Sequence, residues 1–439
     1  MRRVISQASY GDPDAGNERD VHILGAADAS AAILRRAAQK ENIRSTQVGI
    51  PVDSRRGRVA LMVAHCAGMV DLVALSIWVG ALIAHYGFDP QQAGGLPTLF
   101  LVGAVLASVV LAPRIQRLRG RWVAAAGFGI SALAFAAAAS VTGYAPLAVL
   151  HAIAGAAAGA ALSVTHGTIA RSENPHRLFA IVGIALGVFA IVFLGGTPQL
   201  IAALGGSALF HAFAGVMAVG ALAALLAFPE PGTKARDDTR TVTPAALPKV
   251  VWFGIFGISC MTLVQAMIFS FLEPAGLRRG FDQAAINGVL IALGLVNLLP
   301  AALAALLEKR LAPRKVLLVG PIVQVALGAT IVMSRAFEPY AFAAAFFAAV
   351  MIFTHTFAFG LLARLDTSGR ALTGTPAMLM IGSAVGPFLG GTLVNAFGYE
   401  SLAVAAACLA VAAVTCFARL PARRPAAALG AAAPSQDAA

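Results

Sequence analysis

One carboxylate, Asp71, stands close to the midpoint of the apolar stretch that runs from Arg58 to Gly87. A charged group that deep in hydrocarbon costs about 2.5–3.5 kcal/mol, so it is tolerated only against a polar cavity or a partner. The chemistry open to it is to take up a proton when the site dries and release it when the site floods, or to hold a cationic group of a substrate. The alternative is a neutralised carboxyl that only locks helices together. No Lys or Arg lies at the same depth to pair with it, which favours function. Trp78 follows seven residues later on the same helical face, where it either walls a binding pocket or packs.

His166 and His355 each follow a threonine, in THGT and THTF. Imidazole titrates near neutral pH, so a proton relay or gate is one reading and a neutral, hydrogen-bonded ring the other. His65, His151 and His211 rank lower, because none has a counterpart elsewhere in the chain. Asn297, Asn395 and Gln324 are candidate hydrogen-bonders in a cavity or links between helices. Cys66, Cys260, Cys408 and Cys416 all fall inside apolar segments without CxxC or Cys/His spacing, so neither disulfides nor zinc are expected. There is no HExxH, no converging nucleophile and base, and no GxxxxGK[ST] loop. An enzyme, an ATP-driven pump, a cofactor and a metal are therefore not expected.

The elements that position these residues follow from composition. Of 439 residues 59% are hydrophobic and 12% charged, an excess that leaves too little polar surface for a protein in water. The formal charge of +12 would suit nucleic acid if it formed one face, but the basic residues sit in short clusters between apolar runs, so the expected partner is the bilayer and not nucleic acid. Twelve apolar segments can be marked, at 58–86, 91–112, 121–142, 145–170, 176–202, 206–228, 249–272, 283–306, 315–334, 339–363, 371–396 and 401–419. The fold class is an all-α membrane protein of twelve transmembrane helices. Three basic residues, Arg278, Arg279 and Arg335, lie in the outward loops; the other 29 of 32 lie in the tails and in or beside the alternate loops. That asymmetry puts both ends in the cytoplasm and the protein in the inner membrane.

The chain divides into a cytoplasmic tail at 1–56, six helices at 57–228, a polar linker at 229–248, six helices at 249–420 and a second tail at 421–439. The tail has no hydrophobic core of a cleaved leader, and residues 27–44 suit a short surface helix. The two sets of six repeat one another. Cys66, Asp71 and Ser76 align with Cys260, Gln265 and Ser270 at an offset of 194, and Arg117, Arg121 and Gly127 align with Arg310, Arg314 and Gly320 at 193. Arg171, Glu173 and Arg177 align with Arg364, Asp366 and Arg370, and FLGGT recurs at Phe193 and Phe388. Two such halves about an axis along the membrane normal would bring Asp71 and Gln265 to opposite walls of one central cavity.

Twelve helices in six plus six, with the basic loop between helices 2 and 3 repeated between 8 and 9, resemble the major facilitator superfamily over residues 58–420. The family's Gly-x-x-x-Asp-Arg-x-Gly-Arg loop is degraded here to Pro113, Arg117, Leu118, Gly120 and Arg121, so its acidic latch does not transfer; the second copy has Glu308 two residues before the expected acid. GSAVGPFLGG, Gly382 to Gly391, matches a GxxxGPxxGG core carried in helix 5 by the family's drug/proton antiporters, but it lies in helix 11. Its Gly386 and Pro387 suit either close packing or a bend. The resemblance implies gates at the cytoplasmic ends, formed by Arg117, Arg121, Arg310 and Arg314 with Arg171, Glu173, Arg177, Arg364, Asp366 and Arg370; solvated loops that set topology are the alternative.

The expected function is secondary transport of a small molecule by alternating access, proton-coupled, in a monomer. A cavity of Phe, Leu, Met and one acid suits export of neutral or cationic hydrophobic compounds. Uptake of a neutral solute, and a non-transporting sensor of the same fold, are the alternatives.

Overall fold

The computed structural model describes residues 50–111, 114, 118–230, 248–365 and 375–421. Most of the two tails, the surface helix expected at 27–44, most of the linker, and Arg117, Asp366 and Arg370 lie outside the described residues. Those that are described form twelve helices long and apolar enough to cross a membrane. They are α1 (Arg55–Tyr86), α2 (Pro90–Leu111), α3 (Gly120–Ala138), α4 (Tyr144–Ile169), α5 (Pro175–Leu204) and α6 (Ser207–Ala227) before residues 231–247. After them come α7 (Lys249–Ser270), α8 (Gln283–Leu307), α9 (Pro313–Met333), α10 (Phe337–Leu365), α11 (Thr375–Phe397) and α12 (Ser401–Ala418). A short helix, Leu272–Arg278, prolongs α7. With an even number of crossings among the described residues, the start of α1 and the end of α12 lie at one face of the bundle, called here the terminal face.

Local chemistry sets the ends. Ser54 caps α1 by accepting from the Gly57 amide at 3.0 Å, Asn174 caps α5 with Pro175 as its first residue, and Asp282 caps α8 by accepting from Ala285 at 3.0 Å. Gly87 adopts φ +68° past the end of α1, a left-handed turn that glycine enters without steric cost.

Two helices are broken at depth. Residue Met69 (φ −111°, ψ 18°) divides α1 into Arg55–Gly68 and Val70–Tyr86, and residues 297–299 divide α8 before Pro300. Pro300 has no N–H for the ladder, and interrupted backbone inside a bilayer is stable only where it is buried in protein or lines a cavity. Both breaks occur at the site described below.

Within the first six helices, α2 and α4 approach so closely that a Cβ at Gly155 would meet the carbonyl of Phe100, and one at Gly159 the backbone of Ala104. Such small-residue contact replaces the missing hydrophobic drive between helices in lipid. Gly382, Gly386 and Gly390 do the same for α11 against α7, where a Cβ at Gly386 would stand 2.6 Å from the Ala266 side chain.

Candidate functional site

A cavity of about 240 Å³ lies between the two sets of six helices, lined from α1, α2 and α5 on one side and α7, α8, α10 and α11 on the other. Its walls are mostly apolar, with Leu75, Leu101, Leu186, Phe269 and Met351 among them; its polar members are Asp71, Thr262, Gln265, Asn297, His355 and Ser383. No lysine or arginine is among the lining residues.

Asp71 is in the first turn after the break in α1 and is 9% exposed. The break frees backbone N–H groups, and those of Asp71 and Leu72 point at the carboxylate, an arrangement that helix starts favour for acids. Asn297 ends the first part of α8, and its Oδ1 is buried with no partner. The interrupted backbone thus places one acid and one amide on opposite sides of the cavity.

Gln265 faces Asp71's half from α7, and its orientation is fixed by Gln324, which is 1% exposed in α9. The Gln324 side-chain nitrogen donates to the Met261 carbonyl at 3.1 Å and to the Gln265 oxygen at 3.2 Å. A carbonyl only accepts, so the bonded end of Gln324 is its NH2, the bonded end of Gln265 is its oxygen, and the NH2 of Gln265 is left for the cavity. By the same logic His355 donates from Nδ1 to the Met351 carbonyl at 3.0 Å, so its Nε2 accepts whenever the ring is neutral. The site therefore offers acceptors at Asp71 and His355 and amide N–H donors at Gln265 and Asn297.

The other candidate residues are elsewhere. Trp78 is fully buried above the cavity, ringed by Phe100, Phe135, His151 and Phe213 at centroid distances of 5.5, 5.9, 5.4 and 4.6 Å. The cavity reaches only to Leu75 on α1, so sharing a face with Asp71 does not bring Trp78 into it; it packs the core. His166 also stays outside the lining, its Nε2 3.0 Å from Nδ1 of His65. His166 and His355 are 189 residues apart, short of the repeat offset of 193, which is why they are not structural counterparts.

The basic residues at the terminal face act within their own halves where their partners are seen. Arg121 donates to the Leu225 carbonyl at the end of α6, and Arg314 to the Ala418 carbonyl at the end of α12 at 2.7 Å. Arg364 pairs with Glu308 at 2.6 Å, Arg171 donates to the Gly167 carbonyl at 2.8 Å, and the Glu173 amide donates to Asp53 at 3.1 Å. The Arg177 amide is bound by the Asn174 cap, and Arg310 is exposed after α8.

The two halves meet on the face away from the termini. A Cβ at Gly94 of α2 would strike the Pro387 carbonyl of α11, one at Gly391 would strike that of Pro90, and the Phe388 amide donates to Thr98 at 3.1 Å. Glu273, which the apolar-run pattern misses because it lies past the end of α7, joins α1 there: its amide donates to the Ser76 hydroxyl at 3.0 Å.

Twelve crossing helices around a central cavity with one acid define a polytopic membrane protein of transporter architecture. The chain belongs to the Major Facilitator Superfamily, whose family model matches residues 60–365. Among solved structures it is similar to the nucleoside transporter NupG, with a TM-score of 0.64 and 15% identity over 83% of this chain and 99% of that one. It is also similar to a bacterial homologue of the human lysosomal transporter Spinster in an inward-facing, occupied conformation, with a TM-score of 0.62 and 15% identity over 83% and 93% of the two chains. At that identity the likeness is one of fold. No curated protein matches the sequence.

Proposed function

We propose that this chain moves a neutral or cationic hydrophobic small molecule across the membrane by alternating access, coupled to protons through Asp71, in the direction of export. The observation that carries the reading is that Asp71 and Gln265 line one cavity between the two sets of helices. The apolar wall suits a hydrophobic body, and the acceptors at Asp71 and His355 suit a substrate that brings N–H or O–H groups. An organic anion would meet the Asp71 charge with no Lys or Arg opposite, which argues against that class.

With both termini in the cytoplasm, as the placement of Lys and Arg supports, closure on the far face corresponds to an inward-facing state. Alternating access then requires α1 to part from α7 and α2 from α11 on that face. Asp71 exchanges its proton for substrate when water or substrate reaches the cavity. One charge crossing 100 mV is worth about 2.3 kcal/mol, enough to drive the cycle.

The test is transport of lipophilic amines and of neutral solutes into inverted vesicles under an imposed proton gradient. Asp71→Asn is expected to abolish gradient-driven accumulation while leaving exchange down a substrate gradient. Unchanged coupling in that variant would remove Asp71 from the scheme. Uptake of a neutral solute is the second reading, favoured by the amide of Gln265 and the neutral ring of His355 in the wall; accumulation of neutral solutes in right-side-out vesicles would select it.

A further inference from the structure

Glu273 is the second buried acid of the described residues, 8% exposed, and the coupling scheme above makes no use of it. It lies in the short helix Leu272–Arg278, beyond the last residue of the α7 span, where that helix crosses α1. Its carboxyl carbon and Oε2 press against Gly80 so closely that a Cβ there would stand 3.0 Å from each. Oε1 accepts from the Gln283 side chain at 3.0 Å, whereas Oε2 is buried with no partner among the described residues.

Among the described residues the surroundings supply no counter-charge. Helix α1 brings Ser76 and Gly80, α8 brings Gln283 and Asn287, which bond each other at 3.1 Å, and α10 brings the Tyr340 hydroxyl, which donates to the Leu272 carbonyl at 3.0 Å. Asp282 is occupied in capping α8, and α9 has no titratable residue between Lys315 and Met333. The two arginines of the short helix are turned elsewhere. Arg279 binds Glu400 at 2.9 Å and the Val332 carbonyl at 2.6 Å, and Arg278 lies over the Tyr399 ring at 5.4 Å. An ionised carboxylate here would place an unshared charge against the backbone of α1, which a low-dielectric contact penalises heavily; the neutral acid fits.

We propose that Glu273 is a second proton-binding site, one whose protonation favours closure of the face opposite the termini. The step is a simple ionisation: as α1 and the short helix part, water reaches Oε2, the O–H bond breaks, the proton leaves to solvent and the carboxylate is hydrated. Re-closing takes the proton back up. Proton binding at Glu273 and closure of this face are then one equilibrium, separate from proton binding at Asp71 in the cavity.

The sign follows from the burial. Desolvation raises the carboxyl from the ordinary 4.5 to about 7, with the Gln283 hydrogen bond opposing it. Closure is therefore fully favoured below 4.5 and loses about tenfold per pH unit as pH rises from 4.5 to about 7, with no further loss above that.

The experiment is amide hydrogen exchange on the full chain in lipid nanodiscs at pH 5 and pH 7.5, wild type and Glu273→Gln side by side. It reads the amides of 74–86 and 271–278 against those of 147–164 in α4, which report the intrinsic pH effect in the same molecule. In the wild type, the contact amides are expected to gain roughly fiftyfold over the α4 reference between the two pH values, within the about hundredfold that a tenfold-per-unit linkage allows. Glu273→Gln, neutral at both, should stay slow. Wild-type contact amides that keep pace with α4 would overturn the proposal without any variant, and so would a Glu273→Gln chain that opens at pH 7.5 as the wild type does. Asp71 is present in both chains, so a pH response carried by Asp71 persists in Glu273→Gln, and loss of coupling in Asp71→Asn and loss of the exchange signal here fail independently.

Discussion

Gly94 of α2 lies directly beneath the carbonyl of Pro387 in α11, with no room for a methyl group between them. These two residues belong to different sets of six helices, so the contact is one that the proposed alternating access would break, unlike the equally close contact of Gly155 with Phe100 inside the first set. Chemistry alike, location different: the consequences of filling the two gaps should separate.

Gly94→Ala and Gly391→Ala are expected to wedge the halves apart on the face away from the termini while leaving each half folded. Gly155→Ala should instead overpack a permanent interface and cost about 1–3 kcal/mol of stability. Thermal unfolding in detergent, with solvent labelling of cysteines placed near Thr98, checks both. A Gly94→Ala protein that melts early but labels no faster would show the α2–α11 contact to be permanent.

The Gln324–Gln265 bond yields a prediction about recognition. Gln324 lines no part of the cavity, yet it holds the Gln265 oxygen so that the NH2 faces inward. Gln324→Leu should let that amide rotate and weaken binding of a transported amine or solute by about tenfold, near 1.4 kcal/mol for one lost, oriented hydrogen bond. Gln265→Leu should lose a similar amount, and the double variant little more, because the two act as one unit. Binding isotherms on the three variants decide it; losses that simply add would mean that Gln324 supports the fold and not the site.

The fold was largely legible because the bilayer imposes a length and a composition on each crossing, and the repeat offset carried Asp71 onto Gln265 and so across one cavity. What escaped was set by contacts that periodicity does not encode. Glu273 follows Leu272 and precedes Pro274, where it reads as a loop acid; only the approach of Gly80 from another helix buries it. His65 has no repeat counterpart, and its partner, His166, lies in the same half. Arg121 and Arg314 read as topology signals or gates, and the loop pattern does predict their equivalence; it does not show that each guanidinium satisfies open carbonyls at the end of the last helix of its half. GSAVGPFLGG reads as an antiporter-like core, yet in α11 its glycines serve two neighbours at once, α7 along one edge and α2 along the other.

Trp78 offers the sharpest contrast between a residue near the cavity in sequence and one within it in space. Its ring is enclosed by Phe100, Phe135, His151 and Phe213, and its indole N–H is buried without a partner. Trp78→Ala should therefore cost about 3–5 kcal/mol through the void it leaves in the first six helices. Trp78→Phe should be much milder, since it keeps most of the ring contacts and removes an unsatisfied donor. Neither change should alter the KM of the molecules that remain folded, whereas Leu75→Ala, one turn nearer Asp71 and part of the cavity wall, should raise it. Transport assays normalised to folded protein, run beside thermal unfolding, separate the two outcomes; a raised KM in Trp78→Phe with an unchanged Tm would return the indole to the binding site.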